Sequence, residues 1–152
     1  MNRPLVIGIG NPYRRDDGVG LAVLEGVRSR IGTRADTVEE LGEPAALVER
    51  WSGREFVIVV DAVVSGAAPG SLVTHELGTS TLTVRPRFTP ANSSHALGIA
   101  EARELGRVLD RLPQRLLFVG IEAGDTSSGE GLTPEVEAAV APAIALVLGA
   151  LG

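Results

Sequence analysis

Apolar runs of strand length alternate along the chain with amphipathic stretches. That is the pattern of an α/β protein, in which helices cover a largely parallel sheet. Leu5-Val6-Ile7-Gly8-Ile9 reads as a buried first strand, followed by a turn at Asn11-Pro12. From about Gly18 to Arg30, Val19, Ala22, Val23 and Val27 recur at helical spacing. A short strand is expected near Thr37-Val38, then a helix from Glu43 to Trp51. Pro44 suits the first turn of that helix, where its missing N–H costs nothing. Phe56-Val57-Ile58-Val59-Val60 is the clearest strand, and its unbroken run predicts burial on both faces, as in a central parallel strand. Ser71 to Leu77 alternates apolar and polar residues, as an edge strand does. Gly78 to Ser93 is a long polar loop, and Ser94 to Leu109 a helix capped by Ser93 or Ser94. Leu116 to Ile121 is another buried strand, and Thr133-Pro134-Glu135 opens the last helix with Thr133 as its cap. The expected architecture is a three-layer α/β/α sandwich with a mostly parallel sheet and one antiparallel edge strand.

Composition narrows the chemistry. The 152 residues fit one domain, 1–152, without repeat or linker. There is no cysteine, which removes disulfides, thiolate nucleophiles and cysteine metal sites. A cytoplasmic protein is the simple expectation. The first ten residues lack the apolar length and cleavage site of a secretory signal. No uninterrupted apolar run reaches the ~18 residues that span a bilayer, so no membrane partner is expected. The net charge of −5 is spread without a basic stripe, and aromatics are 3% of residues. Both argue against nucleic acid as a partner.

In such sheets, ligands gather at the carboxyl ends of the strands. Asp17 lies in the loop after the first strand, Asp61 ends the central strand, and His95 begins the helix after the long loop. Two carboxylates and an imidazole can hold a metal ion, or a water for acid–base work. Simpler roles exist for each. Asp17 could cap the first helix, and Asp61 could cap a turn. His95 could be a surface residue, although an imidazolium is disfavoured at a helix start. His75, on the edge strand, is most simply exposed. Asp16 and Asp17 are neighbours and are not expected to face one point. Gly8-Ile9-Gly10 lacks the third glycine of a dinucleotide fingerprint, because Tyr13 stands there. The chain has no lysine for a phosphate-binding loop and no Gly-x-Ser-x-Gly elbow.

These motifs, taken together, resemble a known family. Gly8-Ile9-Gly10-Asn11-Pro12-Tyr13-Arg14-Arg15-Asp16-Asp17-Gly18-Val19-Gly20 is similar to the amino-terminal signature of the nickel-iron (NiFe) hydrogenase maturation endopeptidases. Val60-Asp61-Ala62 resembles their second motif, and Ser94-His95 followed by Gly98 their third. Gly120-Ile121-Glu122 and Gly131 to Glu137 resemble their carboxy-terminal blocks. The resemblance runs over almost the whole chain in the right order. It implies a phosphorylase/hydrolase-like sandwich and removal of a carboxy-terminal extension from a hydrogenase large-subunit precursor after nickel insertion. It assigns the metal-binding and catalytic positions to Asp17, Asp61 and His95. Many members carry glutamate where Asp17 stands, so the site here is one methylene shorter on that side. The nickel is expected to arrive with the substrate, with no permanent cofactor. Two other readings predict different outcomes: a hydrolase with a permanent zinc at the same residues, and a non-enzymatic α/β binding module.

Overall fold

A computed structural model describes residues 2–78 and 94–152, with side chains for 2–78 and 98–152. Five strands, β1 Leu5–Ile9, β2 Asp36–Glu40, β3 Phe56–Val63, β4 Leu72–Glu76 and β5 Arg115–Glu122, form one sheet in the order β2-β1-β3-β5-β4. All neighbours are parallel except β4, which runs antiparallel along β5. The helices are α1 Val19–Ile31, α2 Pro44–Trp51, α3 Ser94–Val108 and α4 Pro134–Leu151, with a short 3-10 turn at Arg15–Gly18 before α1. The sandwich and its antiparallel edge strand form as the sequence pattern predicts.

Side chains alternate across each strand, so the sheet feeds two separate cores. On one face Ile58, Val60, Val119 and Ile121 pack with Val19, Val23 and Val27 of α1 and with Ala143 and Val147 of α4. On the other, Val57, Val59, Val63 and Phe118 pack with Leu47, Val48 and Trp51 of α2 and with Ile99 and Ala102 of α3. The same alternation puts Asp61, Gly120 and Glu122 on the α2–α3 face.

Several details differ from the sequence reading. Asp61 does not end β3. The strand runs on to Val63 because β5 continues beside it, pairing Asp61 with Gly120, Ala62 with Ile121 and Val63 with Glu122. One polar side chain does not stop a strand whose backbone groups still find partners. Asp17 does not cap α1, since Gly18 takes that position. Thr133 has the extended backbone of an N-cap but makes no side-chain capping bond. Its hydroxyl is used elsewhere, as described below. Glu43 is the cap of α2, accepting from Ala45 N at 3.2 Å and Ala46 N at 2.9 Å, with Pro44 at the first turn as expected. His75 is half-buried rather than exposed, its ring stacked on Phe118 with centroids 6.5 Å apart. The polar loop expected after Gly78, and the expected serine cap of α3, lie outside the described residues. Finally, α4 is long and apolar enough by composition to cross a membrane, at 18 residues and mean hydropathy 1.6. Its apolar run is still interrupted, because Glu135 and Glu137 stand in its first turn.

Candidate active site at the carboxyl edge of the sheet

The site grows from how α1 meets the strand ends. A Cβ on Gly20 would lie 2.3 Å from the Ile9 carbonyl oxygen and 2.6 Å from that of Val60. Only glycine lets the first turn of α1 rest directly on the ends of β1 and the Val60 segment of β3. Asp17, three residues earlier, and Asp61, one residue after Val60, therefore flank the same backbone corner. Asp17 is half-buried, and its Oδ2 accepts from Asn11 N at 3.1 Å, which closes the loop after β1. Asp61 is fully buried, with Oδ1 accepting from Ala62 N at 2.7 Å.

His95 lies in the first turn of α3, and its side chain lies outside the described residues. The backbone of that turn is fixed nearby. A Cβ on Gly98 would sit 2.2 Å from the Gly42 carbonyl oxygen, so α3 starts hard against the loop after β2. That loop in turn borders the end of β1, where Gly10 N donates to Glu40 O at 3.1 Å. Among the described residues, no three of His, Cys, Asp and Glu are grouped closely enough to hold a metal ion. Asp17 and Asp61 are the described candidates for one.

Asp16 has a role that the sequence reading missed. It is fully buried and accepts four hydrogen bonds from the far end of the chain. Oδ2 accepts from Gly124 N (2.8 Å), Asp125 N (2.9 Å) and the Thr133 hydroxyl (2.8 Å), and Oδ1 from Thr133 N (2.7 Å). Burial alone would raise its pKa. The bonds from Thr133, Asp125 and Gly124 outweigh that and hold the carboxyl below its ordinary value. The clamp is reciprocal: Asp16 N donates to Asp125 O, Arg15 N to Gly129 O and Gly129 N to Tyr13 O. Arg15 itself sits at φ 48°, a left-handed conformation that the surrounding bonds must hold in place. Adjacent carboxylates thus diverge as expected: Asp16 into the β5–α4 loop, Asp17 toward the strand ends.

Two hollows adjoin this edge. One, of about 390 Å³, lies at the ends of β1 and β2 between Gly10, Pro12, Leu21, Glu40, Leu41 and Arg50. Glu40 and Arg50 are ion-paired across it at 2.5 Å. Tyr13, in the same loop as Pro12, is 67% exposed, and Leu41 is 70% exposed. The other, of about 150 Å³, lies beyond Asp61 toward the β4 edge.

Two carboxylates near the carboxyl edge of the sheet invite comparison with known proteins. The family model described as hydrogenase maturation protease (HycI) matches residues 42–150. The chain belongs to the hydrogenase maturation proteases. This protease is 33% identical over 153 residues to the hydrogenase 2 maturation protease of Escherichia coli K12, covering 98% of this chain and 90% of that protein. It is 33% identical over 154 residues to the hydrogenase expression/formation protein HupD of Bradyrhizobium diazoefficiens, covering 95% and 76%. The solved structure of the hydrogenase maturating endopeptidase HybD from E. coli superposes with a TM-score of 0.83 at 28% identity, covering 99% of this chain and 92% of that one. The protease is therefore a peptidase built on the HybD-like α/β fold.

Proposed function

We propose that this protease removes the carboxy-terminal extension of a nickel-iron hydrogenase large-subunit precursor once nickel has been inserted. In this reading the nickel arrives as part of the substrate and is held by Asp17, Asp61 and His95. The observation that supports the reading is the seat of α1 on Ile9 and Val60, with Asp17 three residues before Gly20 and Asp61 directly after Val60. The start of α3, which bears His95, is packed on the neighbouring loop. Two carboxylates and an imidazole suit a borderline cation such as Ni²⁺. The chain has no cysteine nucleophile and no serine elbow, so a substrate metal supplies what the protein lacks. Such an ion polarises the scissile carbonyl or lowers the pKa of a water beside it. The water oxygen adds to the acyl carbon, a carboxylate takes its proton, and the C–N bond breaks as the amine is protonated. In this reading the reaction takes place in the cytoplasm.

Nickel-loaded and nickel-free precursors, incubated with the protease and weighed by mass spectrometry, test this directly. Only the loaded precursor should lose its extension. Equal cleavage of both would overturn the role of nickel. Stoichiometric zinc in protease purified without added metal would replace this reading with a resident-metal hydrolase.

A further inference from the structure

The hollow of about 150 Å³ beyond Asp61 is lined by Val63, Ala67 and Val73, with the carboxylate of Glu122 and the ring of His75 in its wall. Val63 and Asp61 share a face of β3 two residues apart, a separation of about 7 Å. Glu122 closes the far side, at the end of the neighbouring strand. It is 3% exposed, and both its oxygens are directed by Ser65: Oε2 accepts from Ser65 N at 2.9 Å and Oε1 from the Ser65 hydroxyl at 2.6 Å. No arginine or histidine among the described residues forms an ion pair with Glu122. A carboxylate in an apolar wall, held in place with no paired cation among the described residues, is costly unless a counter-charge is supplied. Its remaining lone pairs can accept charge-assisted bonds. A cavity of about 150 Å³ holds a body the size of benzene, which is also the scale of one long side chain.

We propose that this hollow is a subsite for a basic side chain of the substrate polypeptide, whose apolar stem lies along Val63 and Val73 and whose cationic head meets Glu122. An extended chain advances about 3.3 Å per residue, so the side chain read here is within roughly two residues of the bond presented to Asp61. The assignment of a peptide substrate at Asp61 rests on the function proposed above. The charge complementarity at Glu122 does not depend on nickel.

Two experiments decide it. In the first, Nα-acetyl-arginine amide and its uncharged isostere Nα-acetyl-citrulline amide are titrated into the full-length protein while backbone amide resonances are followed by NMR. The arginine probe should shift Ser65, Ala67 and Val73 saturably and bind roughly tenfold or more tighter than the citrulline probe. Glu122→Gln, which keeps size and an acceptor for Ser65, should bind the two probes equally. Ala67→Leu, at an exposed loop position, should fill the hollow and abolish both responses in a folded protein. Equal binding of the two probes by the wild type, or an undiminished arginine preference in Glu122→Gln, overturns the subsite. In the second, basic residues near the cut of a nickel-loaded precursor are changed singly to glutamine. One such change should lower wild-type kcat/KM by about tenfold and leave Glu122→Gln indifferent. A wild type that cleaves but treats every such precursor alike overturns the role in cleavage. A wild type that cleaves no precursor indicts the nickel-peptidase reading, and the probe titration still decides the hollow.

Discussion

Replacing Asp17 by asparagine keeps the size of the side chain and an oxygen for the Asn11 N–H bond. Stability should stay within about 0.5 kcal/mol of wild type. The anionic contact would be gone, so cleavage of the nickel-loaded precursor should fall by about 10²-fold or more if the carboxylate also serves as base. Asp17→Glu should retain partial activity, since it restores charge with one more methylene. Full cleavage by a well-folded Asp17→Asn protein would remove Asp17 from the mechanism. Asp16 should behave in the opposite way. Asp16→Ala leaves the amides of Gly124, Asp125 and Thr133 and the Thr133 hydroxyl without their acceptor, costing about 3 kcal/mol or more. Because its folded pKa is depressed, Asp16 stabilises the protein above its ordinary value of 3.8, and that contribution is lost as pH falls through the lower folded value. The stability gap between wild type and Asp16→Asn, from urea unfolding, should be full near neutrality and shrink below pH 3.8. A gap that does not change with pH would show that the carboxyl's charge contributes nothing. None of this was legible in the sequence, because the partners of Asp16 lie 108 to 117 residues ahead of it. What local pattern did give was that Asp17 follows β1 and that Asp61 lies toward the carboxyl end of β3, although the strand runs two residues beyond it.

At the scale of elements, the site depends on helices seated closer to the sheet than any side chain would allow. Gly20→Ala must push α1 away from the Ile9 and Val60 carbonyls, and such overpacking typically costs about 1–3 kcal/mol. Thermal denaturation measures the loss. Precursor cleavage by the surviving folded fraction should fall further than stability accounts for, because the displaced corner holds Asp17 and Asp61. Unchanged stability would mean that the seat is not tight. The order of elements and the parallel sheet were readable from the runs of valine and isoleucine, since a strand buried on both faces needs no alternation. The length of β3 was not. Where it stops depends on β5 continuing beside it, a partnership set some 60 residues later in the chain. The exposure of His75 was misread for a related reason. Leu72-Val73-Thr74-His75-Glu76 does not alternate strictly, and nothing within it says that Val73 and His75, rather than Leu72 and Thr74, lie on the side that carries Phe118.

For the whole molecule, the telling element is α4, the helix whose length and hydropathy match a membrane span. In the fold it lies across one face of the sheet, burying Val136, Ala139, Ala143, Ile144 and Val147. Its outward side carries Ala138, Ala141, Pro142, Ala145 and Gly149, small residues with little apolar area to hide. Water and lipid make opposite demands on that side. In water, Ala141→Glu with Ala145→Arg adds an i,i+4 ion pair worth about 0.2–0.5 kcal/mol. In a bilayer, a charge near the middle of the helix would cost about 2.5–3.5 kcal/mol. The double variant should therefore match or slightly exceed wild type in thermal stability, stay in the supernatant when spun with lipid vesicles, and keep wild-type precursor cleavage. Ala143→Arg, on the buried side, should unfold the domain or lower its melting temperature steeply. A double variant that unfolds, or a wild type that pellets with vesicles while the variant does not, would show that the outward face of α4 meets something other than water.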